Sequence, residues 1–476
     1  MNHRAQSHPA ESAASWSLAE VATLAEGEVI ASDSARAGRE RFAYGDLSTD
    51  SRSLRSGDFF VALRGENHDG HDHVAAAAAA GASGLFVDRP ILPSCPQVRV
   101  RETLLGWQTW AANHRQGWGD SPLIGVTGSS GKTTVKDLVA HLLRGLGPVW
   151  STAGNRNNHF GVPWTLLGLS SEHEYAVVEM GMNHAGEIEH LSKLARPDLG
   201  VITSIGRAHL GPMGSREAIL EAKLEIVRGL PAGAPLVLPA DPWVATRLPK
   251  WIDQYRLIRF GFEDDADWRP QGEVEYSIRG SCFQTEQGQS VELSLLGEGA
   301  VLSCLAALAV VDALGADLSG LVSRLKTASR QPLRMEPRWI AGALWLLDCY
   351  NASPESCHLA IEFLKSVPFS GRRVLVLGEL SELGEHSADV HAELVQAAAG
   401  LDYVHFIGPA FEPVFKSISG VGHVEWSAMR EEASIRLCEG IAEGDLVLLK
   451  ASRRMALERI LERLTPGHRS RGEAAS

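Results

Sequence analysis

The chain reads as an α/β protein of three domains: a small α/β N-terminal domain, a central P-loop-type parallel-sheet domain and a C-terminal Rossmann-like parallel-sheet domain. Three observations predict this. Short, nearly continuous apolar runs, the pattern of buried parallel strands, alternate with helical stretches. A glycine turn, "GVTGSSGKTT" (Gly125 to Thr134), stands between one such run and a helix. The length, 476 residues of which 44% are hydrophobic and 22% charged, is enough for roughly two to four domains with full cores.

The first block, residues 16–115, carries strand-like "DFFVAL" (Asp58 to Leu63) and "GLFVD" (Gly84 to Asp88), separated by the Ala-rich helical stretch Val74 to Ala80. The second, residues 116–330, has "LIGVT" (Leu123 to Thr127), "YAVVEM" (Tyr175 to Met180) and "LGVITSI" (Leu199 to Ile205), an order that implies a doubly wound sheet. Between Asp241 and Gln289 the chain turns polar and Gly-rich and reads as peripheral strands of the same domain. The third, residues 331–464, repeats the alternation with "LWLLD" (Leu344 to Asp348), "RVLVLG" (Arg373 to Gly378), "YVHFIG" (Tyr403 to Gly408) and "DLVLLK" (Asp445 to Lys450), without a G-x-G-x-x-G fingerprint. The closing "TPGHRSRGEAAS" reads as a disordered tail.

Composition excludes several classes. With 45 basic against 58 acidic residues the net charge is -13, which argues against a nucleic-acid or anionic-membrane binder yet allows a local phosphate pocket. No apolar run approaches the roughly 20 residues that span a bilayer, and Met1 to Ser15 is polar without a secretion segment. A cytoplasmic address, no membrane insertion and a monomer are the expectations. Six scattered cysteines without a C-x-x-C pair point to reduced thiols.

In the helix after the turn, Val135, Leu138, Val139, Leu142 and Leu143 form one buried stripe. Gly128 and Gly131 permit a tight turn whose backbone N–H groups point inward at the helix N-terminus, where anions are favoured; Lys132 adds a point charge and the Thr133 hydroxyl can ligate Mg²⁺. The usual phosphate loop has a glycine five positions before Gly131; here that residue is Val126. Glu179 ends a strand where ligands collect in open α/β sheets, and a carboxylate there is costly unless paired or metal-bound. Lys223 sits on the inward stripe of the helix opened by Ser215, among Ile219, Ala222, Ile226, Val227 and Leu230, with snorkelling as the alternative.

The T-G-S-S-G-K-T-T loop resembles the ATP loop of the Mur ligases, and the resemblance runs from about Leu18 to Leu464. "TDSRSLRSGDFFVALRGENHDGHDHV" (Thr49 to Val74), "GNRNNHFGVPWTLL" (Gly154 to Leu167), "VVEMGMNHAGEIEHL" (Val177 to Leu191), "AHLGPMGSREAILEAKLEI" (Ala208 to Ile226), "DCYNASPES" (Asp348 to Ser356), "GELSELGEHS" (Gly378 to Ser387) and "KASRRM" (Lys450 to Met455) stand in the order of the branch that adds D-alanyl-D-alanine to a UDP-muramoyl-tripeptide.

The resemblance implies ATP and Mg²⁺ as cofactors and UDP-N-acetylmuramoyl-tripeptide and D-alanyl-D-alanine as partners, joined through an acyl phosphate. It places ATP on Gly128, Ser129, Ser130, Gly131, Lys132, Thr133, Thr134, Arg334 and Asp348. It makes Thr133, Glu179, His209 and a carbamylated Lys223 the metal ligands, and Lys132, Glu179, His209, Lys223 and Arg334 the catalytic set. Ser51 and Arg52, with Asn157 and Asn158, would meet the UDP substrate; Asn155 accompanies the latter two in a loop facing the phosphates, and Tyr350 and Asn351 mark the dipeptide region. Departures from the family stand at Gly299, Ala300, Ser303, Leu347, Ser353 and Ala451. They leave open a sister ligase adding a different amino acid, and a nucleotide-binding relative without turnover.

Overall fold

Strands that are apolar on both faces need cover on both sides. Leu123–Thr127, Tyr175–Glu179 and Leu199–Ile202 obtain it at the middle of a six-stranded, wholly parallel sheet. In this computed structural model, which describes residues 14–30, 41–65, 68–89, 91 and 95–464, the sheet runs Arg256–Phe260, Pro235–Pro239, Leu199–Ile202, Leu123–Thr127, Tyr175–Glu179, Val149–Ser151. The segment before Ala14 and the expected tail from Thr465 lie outside the described residues.

Alternation along each strand splits the interior into two cores. Ile124, Val126 and Val177 face one, under the helices Lys132–Leu143 and Glu298–Ala313; Leu123, Ala176 and Val178 face the other, under Gly161–Leu167, Glu187–Ala195 and Arg216–Leu224. The five apolar residues expected on the helix after the turn are all buried. After Leu123–Thr127 the chain goes to the far edge and returns beside it, then crosses to the other side. The crevice this reversal leaves lies beyond the carboxyl ends of the three middle strands.

The polar stretch 241–289 divides in two. Arg256–Phe260 completes the parallel sheet as an edge strand, whereas Pro270–Ser277 and Gly280–Thr285 pair with Ser290–Leu293 in a separate antiparallel sheet. That sheet stays with the central unit because Phe283, Val291 and Leu293 enter its core.

The N-terminal sheet has five strands, ordered Glu28–Ile30, Gln97–Arg99, Gly84–Val87, Phe59–Val61, Leu47–Ser48, with the first antiparallel to its neighbour. The division drawn at residue 115 falls inside a helix, Thr103–Gly117. Its Trp107 and Trp110 are fully buried in a core that continues from Phe42 and Phe59 to Leu166 and Val178. Arg115, 6% exposed, closes the joint by donating to the carbonyls of Ala195 and Arg196 and to Asp198 at the end of the helix Glu187–Ala195. A helix that serves both cores has no boundary within it.

The third unit is a six-stranded sheet, Glu336–Ile340, Ala343–Asp348, Leu446–Lys450, Arg373–Gly378, Tyr403–Ile407, His423–Ser427, parallel except for the first. All six cysteines are unpaired, and among the described residues no helix is long and apolar enough to cross a membrane.

The shared core makes a prediction. Trp107→Ala should cost about 3–5 kcal/mol of unfolding free energy, and the first two units should unfold together in a denaturant titration. Two separate transitions, or a loss below about 1 kcal/mol, would contradict a common core.

Candidate functional site

The strand Leu123–Thr127 keeps Val126 buried in its core before the chain turns, so the turn is shorter than in the usual phosphate loop. Gly128 (φ 147°) has no room for a side chain, since a Cβ would collide with the Thr203 hydroxyl. Gly131 (φ 79°) caps the helix Lys132–Leu143 from the left-handed region. The N–H groups of Ser129 and Ser130 donate to the carbonyl and hydroxyl of Ser204, at 3.0 and 2.9 Å. Not all of the expected inward N–H groups are therefore available. Anion binding falls to the helix start, Gly131 to Thr134, where the first amides lack intrahelical acceptors. Lys132 folds back over this turn and donates to the Gly128 carbonyl at 2.7 Å. Burial lowers its ammonium pKa, with Glu179 opposing the shift and Arg334 adding to it.

A cavity of about 710 Å³ opens above the turn. It brings together Ser129 to Thr134, Asn155, Asn157, Asn158, Glu179 and His209 of the central unit with Arg334, Asp348, Tyr350 and Asn351 of the third. Gly128, Lys223, Ser51 and Arg52 do not line it. Arg52, its side chain 84% exposed, is paired with Asp50. The Asn157 amide donates to Glu179 Oε1 at 2.8 Å, and Asn158 Oδ1 accepts the N–H groups of Phe160 and Gly161 at the start of a helix.

Glu179 is 2% exposed, and its Oε2 is a fully buried atom with no hydrogen-bond partner among the described residues. Lys223, 1% exposed, has an equally unpartnered Nζ. Burial drives its pKa well below the ordinary value, and the positive charge of Lys132 drives it further, against Glu225 and Glu187. His209 opens the turn Leu210–Met213 with φ 63°, its Nδ1 2.6 Å from Glu382 Oε2 of the third unit. That contact and burial act in opposite directions on Glu382, and the contact prevails, holding the carboxyl below its usual range.

Arg334 is carried on a strained turn: its neighbours Leu333 (φ 60°) and Met335 (φ 47°) are both left-handed without being glycine. Each such residue costs on the order of 1–3 kcal/mol and needs its surroundings to hold it. Leu333 N donates to Glu336, Met335 N to Asp348, and the Leu333 carbonyl accepts from Tyr350 N. So mounted, the guanidinium lies 4.3 Å over the Tyr350 ring and donates to Thr133 Oγ1 at 3.0 Å. A second bond, Gln331 to Asp137 at 2.7 Å, fixes the same linker to the phosphate-loop helix. Asp348 is the counter-ion of Lys450, 1% exposed and 2.6 Å away; burial alone would lower this lysine, and the carboxylate raises it instead.

Sequence reasoning passed over Ser204, Gln331 and Glu382, whose parts in the site depend on contacts across the fold and which no local spacing signals. Where the family pattern departs, Gly299, Ala300 and Ser303 line the cavity, and a Cβ on Gly299 would meet only Leu359, at 3.6 Å. Among the described residues no three His, Cys, Asp or Glu side chains converge as a metal cage. Mg²⁺ does not need one, because it keeps waters and phosphate oxygens and takes one or two protein oxygens. The orphaned Glu179 oxygen and the Thr133 hydroxyl fit that demand.

Three stretches match known families: the Mur ligase family, catalytic domain, over residues 44–102; the Mur ligase middle domain over 126–311; and the Mur ligase, glutamate ligase domain, over 333–453. The chain is 35% identical to the UDP-N-acetylmuramoyl-tripeptide--D-alanyl-D-alanine ligase of Synechocystis sp. over 88% of its length and 91% of the relative's. It is 36% identical to the ligase of that description from Escherichia coli, over 88% and 93%. Among solved structures it is similar to MurF from Acinetobacter baumannii, with TM-score 0.86 and 32% identity over 95% of this chain and 99% of that one. MurF ligase from Thermotoga maritima, in complex with ADP, gives 0.78 and 32% over 88% and 96%.

Lys223 supplies a test that needs no substrate. An unpartnered buried polar group costs about 1–3 kcal/mol, so Lys223→Met in metal-free protein should raise the unfolding free energy by that much near neutral pH. Burial holds the folded pKa of this amine below the unfolded value of 10.5, so its protonation favours the unfolded chain at pH values under 10.5. The gain should therefore shrink as pH rises toward 10.5 and level off above it. A destabilised variant, or a gain independent of pH, would show that the amine is not buried uncharged.

Proposed function

Because the chain belongs to the Mur ligase family, we propose that it is the ATP-dependent ligase that joins D-alanyl-D-alanine to UDP-N-acetylmuramoyl-tripeptide in peptidoglycan precursor synthesis. The observation that carries this is the meeting of Arg334 with Thr133, which brings the third unit onto the phosphate loop beside the unpaired oxygen of Glu179.

The reaction transfers the terminal phosphoryl of ATP to the peptide's terminal carboxylate, giving ADP and an acyl phosphate. The dipeptide amine attacks that carbonyl, and the tetrahedral intermediate expels phosphate. No nucleophilic side chain is required. Lys132 and the helix start at Gly131 to Thr134 hold the phosphates, and Arg334 meets the charge that spreads over the transferring group. Thr133 and Glu179, with His209, would hold Mg²⁺, which when bound would neutralise phosphate charge. Lys223, as a carbamate, would add an oxygen ligand; the lowered pKa and partnerless Nζ of this lysine support this, since only an unprotonated amine takes up CO₂.

The first, central and third units act as the UDP-substrate, ATP and dipeptide domains. Ser51 and Arg52 hold the UDP end, and the core shared by the first two units keeps that anchor in register with the phosphate loop. Tyr350 and Asn351, beside Arg334, lie where the dipeptide enters. The nucleotide-linked substrates make the cytoplasm the site of action.

Amine-dependent phosphate release tests the assignment. D-alanyl-D-alanine should support it and give a product of the pentapeptide mass, while diaminopimelate and lysine should not. Release with either of those instead would make the protein a sister ligase, and release with none would make it a binder without turnover. Lys223→Ala should lower kcat by about 10²–10³-fold, the scale of one lost electrostatic contact, with partial recovery in short carboxylic acids. Unchanged activity would remove the carbamate from the site. Arg334→Ala should lose a similar factor while melting within a few degrees of the parent.

A further inference from the structure

Arg207 lies two residues before His209 and has no part in the steps above. Its Nε and its backbone N–H both donate to Glu355 Oε1, each at 3.0 Å, and its Nη1 donates to the two oxygens of Glu393 at 3.1 and 2.8 Å. Glu355 is in the first turn of the helix Pro354–Ser366 and Glu393 is on Ser387–Ala397, so both carboxylates belong to the third unit. The three side chains are 27, 35 and 47% exposed, neither buried nor fully solvated.

The segment before Arg207 is tied to the phosphate loop. Gly206 N donates to Ser129 Oγ at 3.0 Å, and the Ser204 carbonyl accepts from Ser129 N. A Cβ on Gly206 would come 2.6 Å from Glu355 Oε2, so a side chain there would push this carboxylate aside. Residues 204–207 therefore join the phosphate loop to two helices of the other half of the cavity. Other polar ties run from Gly211 N to the Glu382 carbonyl, from His209 to Glu382, from Gln331 to Asp137 and from Arg334 to Thr133, beside an apolar contact in which Leu296, Tyr276 and Ile278 of the central unit pack on the third unit's core. Arg207 is the one among these that grips two helices at once.

We propose that Arg207 is a positioning residue of the ligation reaction, its fork on Glu355 and Glu393 holding the third unit closed so that Arg334 stays on the phosphate loop. This rests on the ligase assignment. Without the fork the third unit samples open arrangements, and the loss appears in the closed, reacting complex. Affinity for the UDP end, whose anchor is in the first unit, is spared.

The test uses the full chain with Arg207→Gln, Arg207→Lys, Glu393→Gln and the double variant R207Q/E393Q. Arg207→Gln should lower kcat about tenfold, as small misplacements of reacting groups do, with KM for the UDP-tripeptide within about twofold. A fluorophore pair on the central and third units should report a longer mean distance in its complex with a non-hydrolysable ATP analogue. Arg207→Lys should recover part of both effects, and the double variant should be no worse than Arg207→Gln, because the residues act through one contact. A kcat within twofold of the parent with unchanged distance, or losses that multiply in the double variant, would overturn the proposal. Should Arg207→Gln fail to fold, the half-exposed Glu393→Gln decides by the same two readings. If the parent itself releases no phosphate, the ligase assignment falls, while the distance measurement still judges the clasp.

Discussion

Three ionisable groups close to the phosphate loop, half-buried Lys132 and buried Glu179 and Lys223, set the terms on which the centre of this protein can exist. Two amines share the region with one carboxylate, and that carboxylate already accepts from Asn157 on one oxygen. Burial disfavours charge on both amines, the Lys132 charge lowers Lys223 further, and Lys132 turns to the carbonyl of its own loop. A polyphosphate at the helix start would bring negative charge that favours both ammonium groups.

The joints between the units follow a similar division of labour. An uninterrupted apolar core, with Trp107 and Trp110 at its centre, makes the first and central units rise and fall together in stability. The third unit meets the phosphate-loop side mainly through hydrogen bonds and ion pairs, which exchange with water at little net cost, with a small apolar patch of Leu296, Ile278 and Tyr276 to the side. A reaction that takes in three substrates and releases three products needs one joint that stays and one that opens. Chemistry of the contacts, and not their number, assigns which is which.

Much of this was legible in the sequence because the information is local. The strands of the central sheet announced themselves by unbroken apolar runs, the helix after the turn by its stripe, and Lys223 by standing on a stripe where a lysine has no ordinary business. The polar edge strands Glu336–Ile340 and His423–Ser427 carry no such pattern, since one side of each meets no neighbour. Residue 115 stood between two runs of strand patterns, while the helix through it is held by tryptophans that serve both sides. Glu382 and Arg207 gained their meaning from partners 173 and 148 residues away, a separation at which no spacing rule operates. The family resemblance supplied roles for Glu179 and His209; that Glu179 keeps an oxygen free and that His209 is braced from across the cavity are facts of the fold.

The turn that carries Arg334 has one more property. Left-handed backbone suits glycine best, yet Leu333 and Met335 both bear side chains. Glycine would relax the seated turn and would also wander over far more of conformational space whenever the joint opened. Side chains at both places narrow that wandering, so the released arginine has fewer false postures to explore before it finds its seat again. Some rest-state comfort is given up, and the return journey is shorter each time a fresh nucleotide arrives.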